Sequence, residues 1–155
     1  MKPSWTDMDR WTELVRGSAC PFCQDGPTGI VAELPSVWVT TSPDVAVRGY
    51  CCVIPRTHAV ELHALDAEDA AALMQSIQTV GEATQEITGA IKLNYEIHGN
   101  VVPHVHVHII PRYPGDEIER TGVGFARLTE SPYGPGELDT FRDALAEKLN
   151  VRSTP

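Results

Sequence analysis

The chain has 155 residues and a formal net charge of −9, a length that suits one domain with its own core and a charge that excludes a non-specific DNA or membrane-surface binder. No stretch is apolar for long enough to span a membrane, and Lys2, Trp5, Asp7, Asp9 and Arg10 interrupt what would be the apolar region of a signal peptide. Four cysteines in a chain of this length do not make a secreted disulfide framework, so the expectation is a cytoplasmic protein with reduced thiols, some of them available to a metal.

In chain order, residues 4–16 predict a short amphipathic helix. Ser4 is placed as its N-cap with Asp7 three residues on, Trp5, Met8, Trp11 and Val15 recur near helical spacing, and Gly17 suits the position after the last turn. Cys20-Pro21-Phe22-Cys23 brings two sulfurs to one point, as half of a zinc site, a redox pair or two independent thiols. Residues 29–34, 36–41 and 45–54 predict three strands, with Pro35 and Ser42-Pro43-Asp44 as turn chemistry. Cys51 and Cys52 point to opposite faces of the third strand, so they cannot both join one site, and both are expected in the core. His58 and His63 follow.

Asp66 opens a long helix that runs to about residue 88. Its apolar stripe is Ala70, Leu73, Met74, Ile77, Val80 and Ile87, and Gly89 closes it. Residues 91–97 predict another strand and residues 98–100 a turn. Residues 111–136, rich in glycine, proline and charge, predict a long loop. Leu138, Phe141, Leu145 and Leu149 define a final helix with Glu137 and Asp139 in its first turn. No internal repeat or linker divides the chain, so residues 1–155 are expected as a single domain.

The stretch that carries chemistry is His104-Val105-His106-Val107-His108-Ile109-Ile110, with Pro111 expected to stop the run. Side chains alternate along a strand, so the three imidazoles share one face and Val105, Val107 and Ile109 the other. The apolar face can pack on a core while the imidazoles line a groove. A hairpin joined at residues 98–103 would set Gly99 and Asn100 beside them, where a glycine lets a backbone N–H approach an anion. Two chemistries fit the imidazoles. One is a metal centre of cupin-like type. The other is nucleophilic attack by an imidazole on phosphorus, with the neighbouring histidines holding phosphate oxygens and helping the leaving group depart.

The run resembles the His-φ-His-φ-His-φ-φ signature of the histidine triad (HIT) superfamily. Gly99-Asn100-Val-Val-Pro-His-Val-His-Val-His-Ile-Ile-Pro-Arg112-Tyr113 is similar to bacterial members throughout, and Gly49-Tyr-Cys-Cys-Val-Ile-Pro55-Arg-Thr-His58 resembles the segment those members carry upstream. Cys20-x-x-Cys23 matches the start of many of them. The resemblance covers about residues 18–114, flanked by the helix at 4–16 and by a C-terminal loop and helix at 115–150.

This resemblance implies an α+β fold, an antiparallel sheet of about five strands with one long helix packed on it, and a homodimer formed through that helix and a sheet edge. It implies a hydrolase or nucleotidyl transferase acting at the α-phosphate of a (di)nucleoside polyphosphate or a nucleoside phosphoramidate. His106 is then the nucleophile and His108 a contact to the phosphate or the bridging oxygen. Asn94, Gly99 and Asn100 fall on the phosphate side and Phe22 lines the base pocket. The acidic residue that holds the ribose in the family would fall on Ser42, so Asp44, two residues later, becomes the candidate. Cys20, Cys23, His58 and His104 match the ligands of zinc-bearing members, a structural site that the displacement itself does not need. His63 is a weaker candidate. The partner is a small nucleotide, with neither a nucleic-acid polymer nor a membrane. The alternatives are a non-catalytic or slow nucleotide-binding regulatory protein and a cupin-like metalloenzyme with an open site on the triad.

Overall fold

Five short antiparallel strands and two long helices build the fold in the computed structural model, which describes residues 6–45, 47–116 and 131–152. The strands are β1 (Ile30–Glu33), β2 (Val37–Thr40), β3 (Cys51–Pro55), β4 (Lys92–Glu96) and β5 (Val107–Arg112). Their spatial order is β1-β2-β3-β5-β4, so β4 is an edge strand and β3 is central. The helices are α1 (Met8–Val15), α2 (Pro21–Gln24), α3 (Ala67–Thr88) and α4 (Glu137–Arg152). This is the expected α+β arrangement. Among the described residues no helix is long and apolar enough to cross a membrane.

Alternation along the central strands sorts their side chains onto two faces. Cys51, Val53, Val105, Val107 and Ile109 join the main core with Leu73, Ile77 and Val80 of α3 and Phe141, Leu145 and Leu149 of α4. Cys52, Ile54 and Ile110 point the other way and pack with Tyr50, Phe22 and Trp38. All of β3 is buried because it has a strand on either side and side chains over both faces. Full burial of aliphatic side chains of this kind is worth about 1.5–3 kcal/mol each.

The helix signals of the sequence hold for α3. The Asp66 side chain accepts from the Asp69 N–H at 2.8 Å, and Gly89 closes the helix with φ 68°. Its stripe is narrower than the periodicity predicts, because Met74 stays 56% exposed over an open groove beside β4. The first helix begins at Met8, and Asp7 caps it by accepting from the Arg10 N–H at 3.1 Å. The Ser4 cap and Trp5 lie outside the described residues. Met8 is exposed and only Leu14 of α1 is buried.

Two strand boundaries differ from the sequence reading. The third strand starts at Cys51 rather than residue 45, since Gly49 turns the chain at φ 77°. A side chain there would also collide with Thr88 Cγ2. The histidine strand starts at Val107 and runs through Pro111 and Arg112, so proline does not stop it. Pairing with β3 ends at Cys51↔Ile109, and beyond it β5 pairs with β4 alone. A strand segment with one neighbour tolerates a residue that lacks an N–H. Of the long loop expected at 111–136, residues 117–130 lie outside the described residues.

Candidate active site and metal-ligand cluster

His104 and His106 precede the regular part of β5, and this lead-in is held by the Val105 N–H donating to the Ala59 carbonyl at 2.7 Å. The backbone stays extended enough for the alternation to persist. The rings of His106 and His108 are neighbours, with centroids 4.8 Å apart. His104 turns instead toward the N-terminal segment.

Cys20, Cys23, His58 and His104 come together there, with their four ligand atoms all within 4.8 Å of one another. His104 Nδ1 lies 3.5 Å from Cys20 Sγ and 3.6 Å from Cys23 Sγ. His58 Nδ1 lies 3.3 Å from Cys23 Sγ and 3.2 Å from His104 Nδ1. The opposite ring nitrogens settle the tautomers. His104 Nε2–H donates to the Pro55 carbonyl at 2.9 Å, and His58 Nε2–H donates to the Val15 carbonyl at 2.9 Å. Both Nδ1 atoms therefore carry lone pairs. Two lone pairs facing each other at this distance repel unless a positive centre lies between them, and imidazoles anchored through the far nitrogen are the usual support of a metal ligand. The group could hold a metal. Burial lowers the pKa of His104, opposed by the bond to Pro55 and reinforced by His58 and His106, so the ring is kept neutral as a ligand must be. His63 is exposed in a single turn at Leu62–Ala64 and is not part of this group.

His106 sits differently. Its Nδ1–H donates to the His104 carbonyl at 2.6 Å, which leaves the lone pair on Nε2. Burial lowers its pKa, opposed by that hydrogen bond, with His98 adding to the lowering. Burial likewise brings His108 down to about 3, with His106 and His98 adding. Both rings are neutral at pH 7. The cupin-like alternative needs the triad nitrogens to converge on one open metal site. Among the described residues the cluster of possible ligands is Cys20, Cys23, His58 and His104, which takes only His104 from the triad, so the structure lends that alternative no support.

A cleft of about 360 Å³ opens over these rings, lined by His106, His108, Phe22, Tyr50, Ser42 and Asp44 among others. That volume lies at the lower end of small-molecule pockets. Phe22 meets the His106 ring edge-on at 5.7 Å. Thr41 is also in the wall, and its Oγ1 is a buried atom without a hydrogen-bond partner, which in a native fold calls for a ligand or water. Asn94 shares the triad's face, since it pairs with Ile110 while Glu96 pairs with His108, yet it does not reach the cleft wall. Gly99 (φ 69°) and Asn100 lie in the turn after β4 and are likewise outside that wall.

Two residues escaped the sequence reading. The Tyr50 hydroxyl lies 2.7 Å from His108 Nδ1. The signal for it was the register, since Cys52 two residues later pairs with His108. His98, read as a turn residue, donates to Glu96 Oε2 at 3.0 Å with its ring centroid 5.4 Å from that of His108.

A sequence profile described as the HIT domain matches residues 24–115. The adenosine 5′-monophosphoramidase hnt1 of Schizosaccharomyces pombe is 30% identical over 138 residues, covering 84% of this chain and 98% of that protein. The asymmetrical bis(5′-nucleosyl)-tetraphosphatase of the same organism is 32% identical over 89 residues, covering 54% of this chain and 48% of that protein. A solved histidine triad protein from Bradyrhizobium japonicum has a TM-score of 0.69 and 34% identity, covering 77% of this chain and 88% of that one. The two Schizosaccharomyces pombe proteins carry the names of small-nucleotide hydrolases. With a domain match over more than half of its length and the same five-stranded fold, the chain belongs to the HIT family.

Proposed function

We propose that this chain hydrolyses a nucleoside phosphate derivative at its α-phosphorus through a covalent intermediate on His106. The observation that carries the reading is the hydrogen bond from His106 Nδ1–H to the His104 carbonyl at 2.6 Å, which leaves Nε2 unprotonated beside the cleft. Nε2 attacks the phosphorus, and the bond from phosphorus to the leaving nitrogen or oxygen breaks as that atom takes a proton. Water then attacks the same phosphorus, the P–N bond to His106 breaks, and the nucleoside monophosphate departs. His108 contacts the phosphate, Phe22 the base, and Asp44 or Ser42 the ribose. Asn94, on the triad's face of β4, and Gly99 and Asn100, in the turn that follows, are assigned to the phosphate side. The orphaned Thr41 hydroxyl supports a polar ligand in the cleft. The near full-length similarity to a monophosphoramidase favours an amine leaving group over a polyphosphate.

The test is intact-protein mass spectrometry, quenched at neutral to basic pH after mixing with nucleoside phosphoramidates and dinucleotides. A transient nucleotidyl adduct, absent from His106→Ala, is the expected result. Neither adduct nor product from any substrate would move the assignment to a nucleotide-binding regulatory protein.

Zinc is the metal we assign to Cys20, Cys23, His58 and His104. Two thiolates and two imidazoles make a closed tetrahedral donor set, the chemistry of a structural site. Its contribution is to tie α1 and α2 to the lead-in of the catalytic strand. A homodimer belongs to the same reading. Edge strand β4 and α3 frame a groove of about 500 Å³ lined by Leu62, Met74, Tyr95 and Ile97, all of them substantially exposed, and an exposed apolar patch beside an unpaired edge is suited to a second copy. Sedimentation should give twice the chain mass and Met74→Lys should shift it toward one; a wild-type monomer at micromolar concentration removes the dimer from the reading.

A further inference from the structure

Tyr50 has no part in the reaction as written above, yet it makes a short polar contact to His108. It follows the Gly49 turn and is buried at 7% exposure. Its ring stacks on that of His108 with centroids 5.9 Å apart, and its hydroxyl is 2.7 Å from Nδ1. Cys52, two residues further on, packs in the same buried cluster. A phenol is a good donor and a poor acceptor, whereas a neutral imidazole nitrogen with a lone pair is a strong acceptor. The hydroxyl therefore donates to Nδ1, and the His108 ring must carry its proton on Nε2.

We propose that Tyr50 is a positioning residue that holds His108 in the Nε2–H tautomer, opposite to the tautomer of His106. The proposal rests on the reading of His106 as nucleophile. The His104 carbonyl puts the proton of His106 on Nδ1 and its lone pair on Nε2. Tyr50 does the reverse at the neighbouring ring, 4.8 Å away between centroids, so that one ring presents a nucleophile and its neighbour presents a neutral N–H donor. A donor of that kind stabilises a phosphoryl oxygen or a leaving atom without adding a charge that would compete for the lone pair of His106.

The turn that carries Tyr50 is itself clasped by residues beyond the matched domain. The Gly49 N–H donates to the Tyr133 hydroxyl at 2.7 Å. Arg48 donates to the Pro132 carbonyl and to Glu137 Oε2, each at 2.9 Å, and its guanidinium lies over the Tyr133 ring. Tyr113, which lies inside that domain, adds a hydrogen bond from its hydroxyl to the Arg48 carbonyl at 3.0 Å. The segment leading into α4 thus fixes the backbone from which Tyr50 reaches His108, and it acts on the site through that turn.

The direct experiment is NMR of histidine ring nitrogens in the full-length protein, comparing the wild type with Tyr50→Phe. Phenylalanine keeps the stacked ring and removes only the hydroxyl. The expected result is an Nε2–H signature for His108 in the wild type that becomes a mixture of tautomers in Tyr50→Phe. With a phosphoramidate substrate, kcat should fall by on the order of tenfold or more with KM little changed. A wild-type Nδ1–H signature, or one that Tyr50→Phe leaves untouched, overturns the proposal. The tautomer is read without substrate, so a protein that turns over nothing would count against the proposed hydrolysis and leave this result standing. Should Tyr50→Phe not fold, Tyr133→Phe tests the same link from outside the core and should shift His108 toward the mixture, and no shift there overturns it.

Discussion

His104 and His106 stand two residues apart on one face of one chain segment, and the fold gives their nitrogens opposite work. Both nitrogens of His104 are engaged in the interior, Nε2 on the Pro55 carbonyl and Nδ1 toward two sulfurs and His58, and its side chain is fully buried. His106 commits only Nδ1, to the carbonyl of His104, and keeps Nε2 for the cleft. A ligand and a nucleophile need the same neutral ring. What separates them is which nitrogen is hydrogen-bonded and where the other one points. The carbonyl of His104 also orients His106, the proposed nucleophile, so anything that disorders the cluster should reach the site through one peptide unit.

The sharpest way to break this comparison is His106→Ala. Turnover should fall about a thousandfold or more, as for loss of a covalent nucleophile, while melting temperature and metal content stay at wild-type values. Loss of metal from this variant would mean that the two rings are not separable. Cys20→Ser should do the opposite. With a fully buried ligand gone, metal content should drop and stability should fall by about 3 kcal/mol, on the order of 10 °C in melting temperature. Residual activity should follow the folded fraction. Metal content equal to the wild type would show that Cys20 is no ligand.

The third effect is in pH. His108 is held down to about 3 from an ordinary 6.5 by burial, with His106 and His98 adding. Between these values the unfolded chain binds the proton and the native one does not, so stability is fully present above pH 6.5 and is lost as pH falls toward 3. His108→Gln should flatten the melting-temperature profile across that window. A slope identical to wild type would mean that His108 takes up its proton freely in the fold.

Much of this was legible in the chain. Period-two alternation put His104, His106 and His108 on one face because strand geometry allows nothing else. Asp66 and Gly89 bounded α3 because a cap and a left-handed residue act locally. The four metal-ligand candidates came from resemblance, and the fold brings them within reach of one another over sequence separations of up to 84 residues. Other features were out of reach. Pro111 reads as a terminator until one knows that β3 ends beside Ile109. Met74 reads as core until α3 is seen beside an edge strand with nothing over its flank. Asn94 reads as a phosphate-side residue, and only the register shows that it stands on the triad's face beside Ile110.

By itself the sequence determined the alternating imidazole face, the family signature and the helix ends, since each depends on residues within a few positions of one another. Only the tertiary structure decided which partner each imidazole nitrogen meets. The bond from Tyr50 to His108 spans 58 residues and that from His58 to Val15 spans 43, and a tautomer is set by whichever partner the packing delivers to each nitrogen.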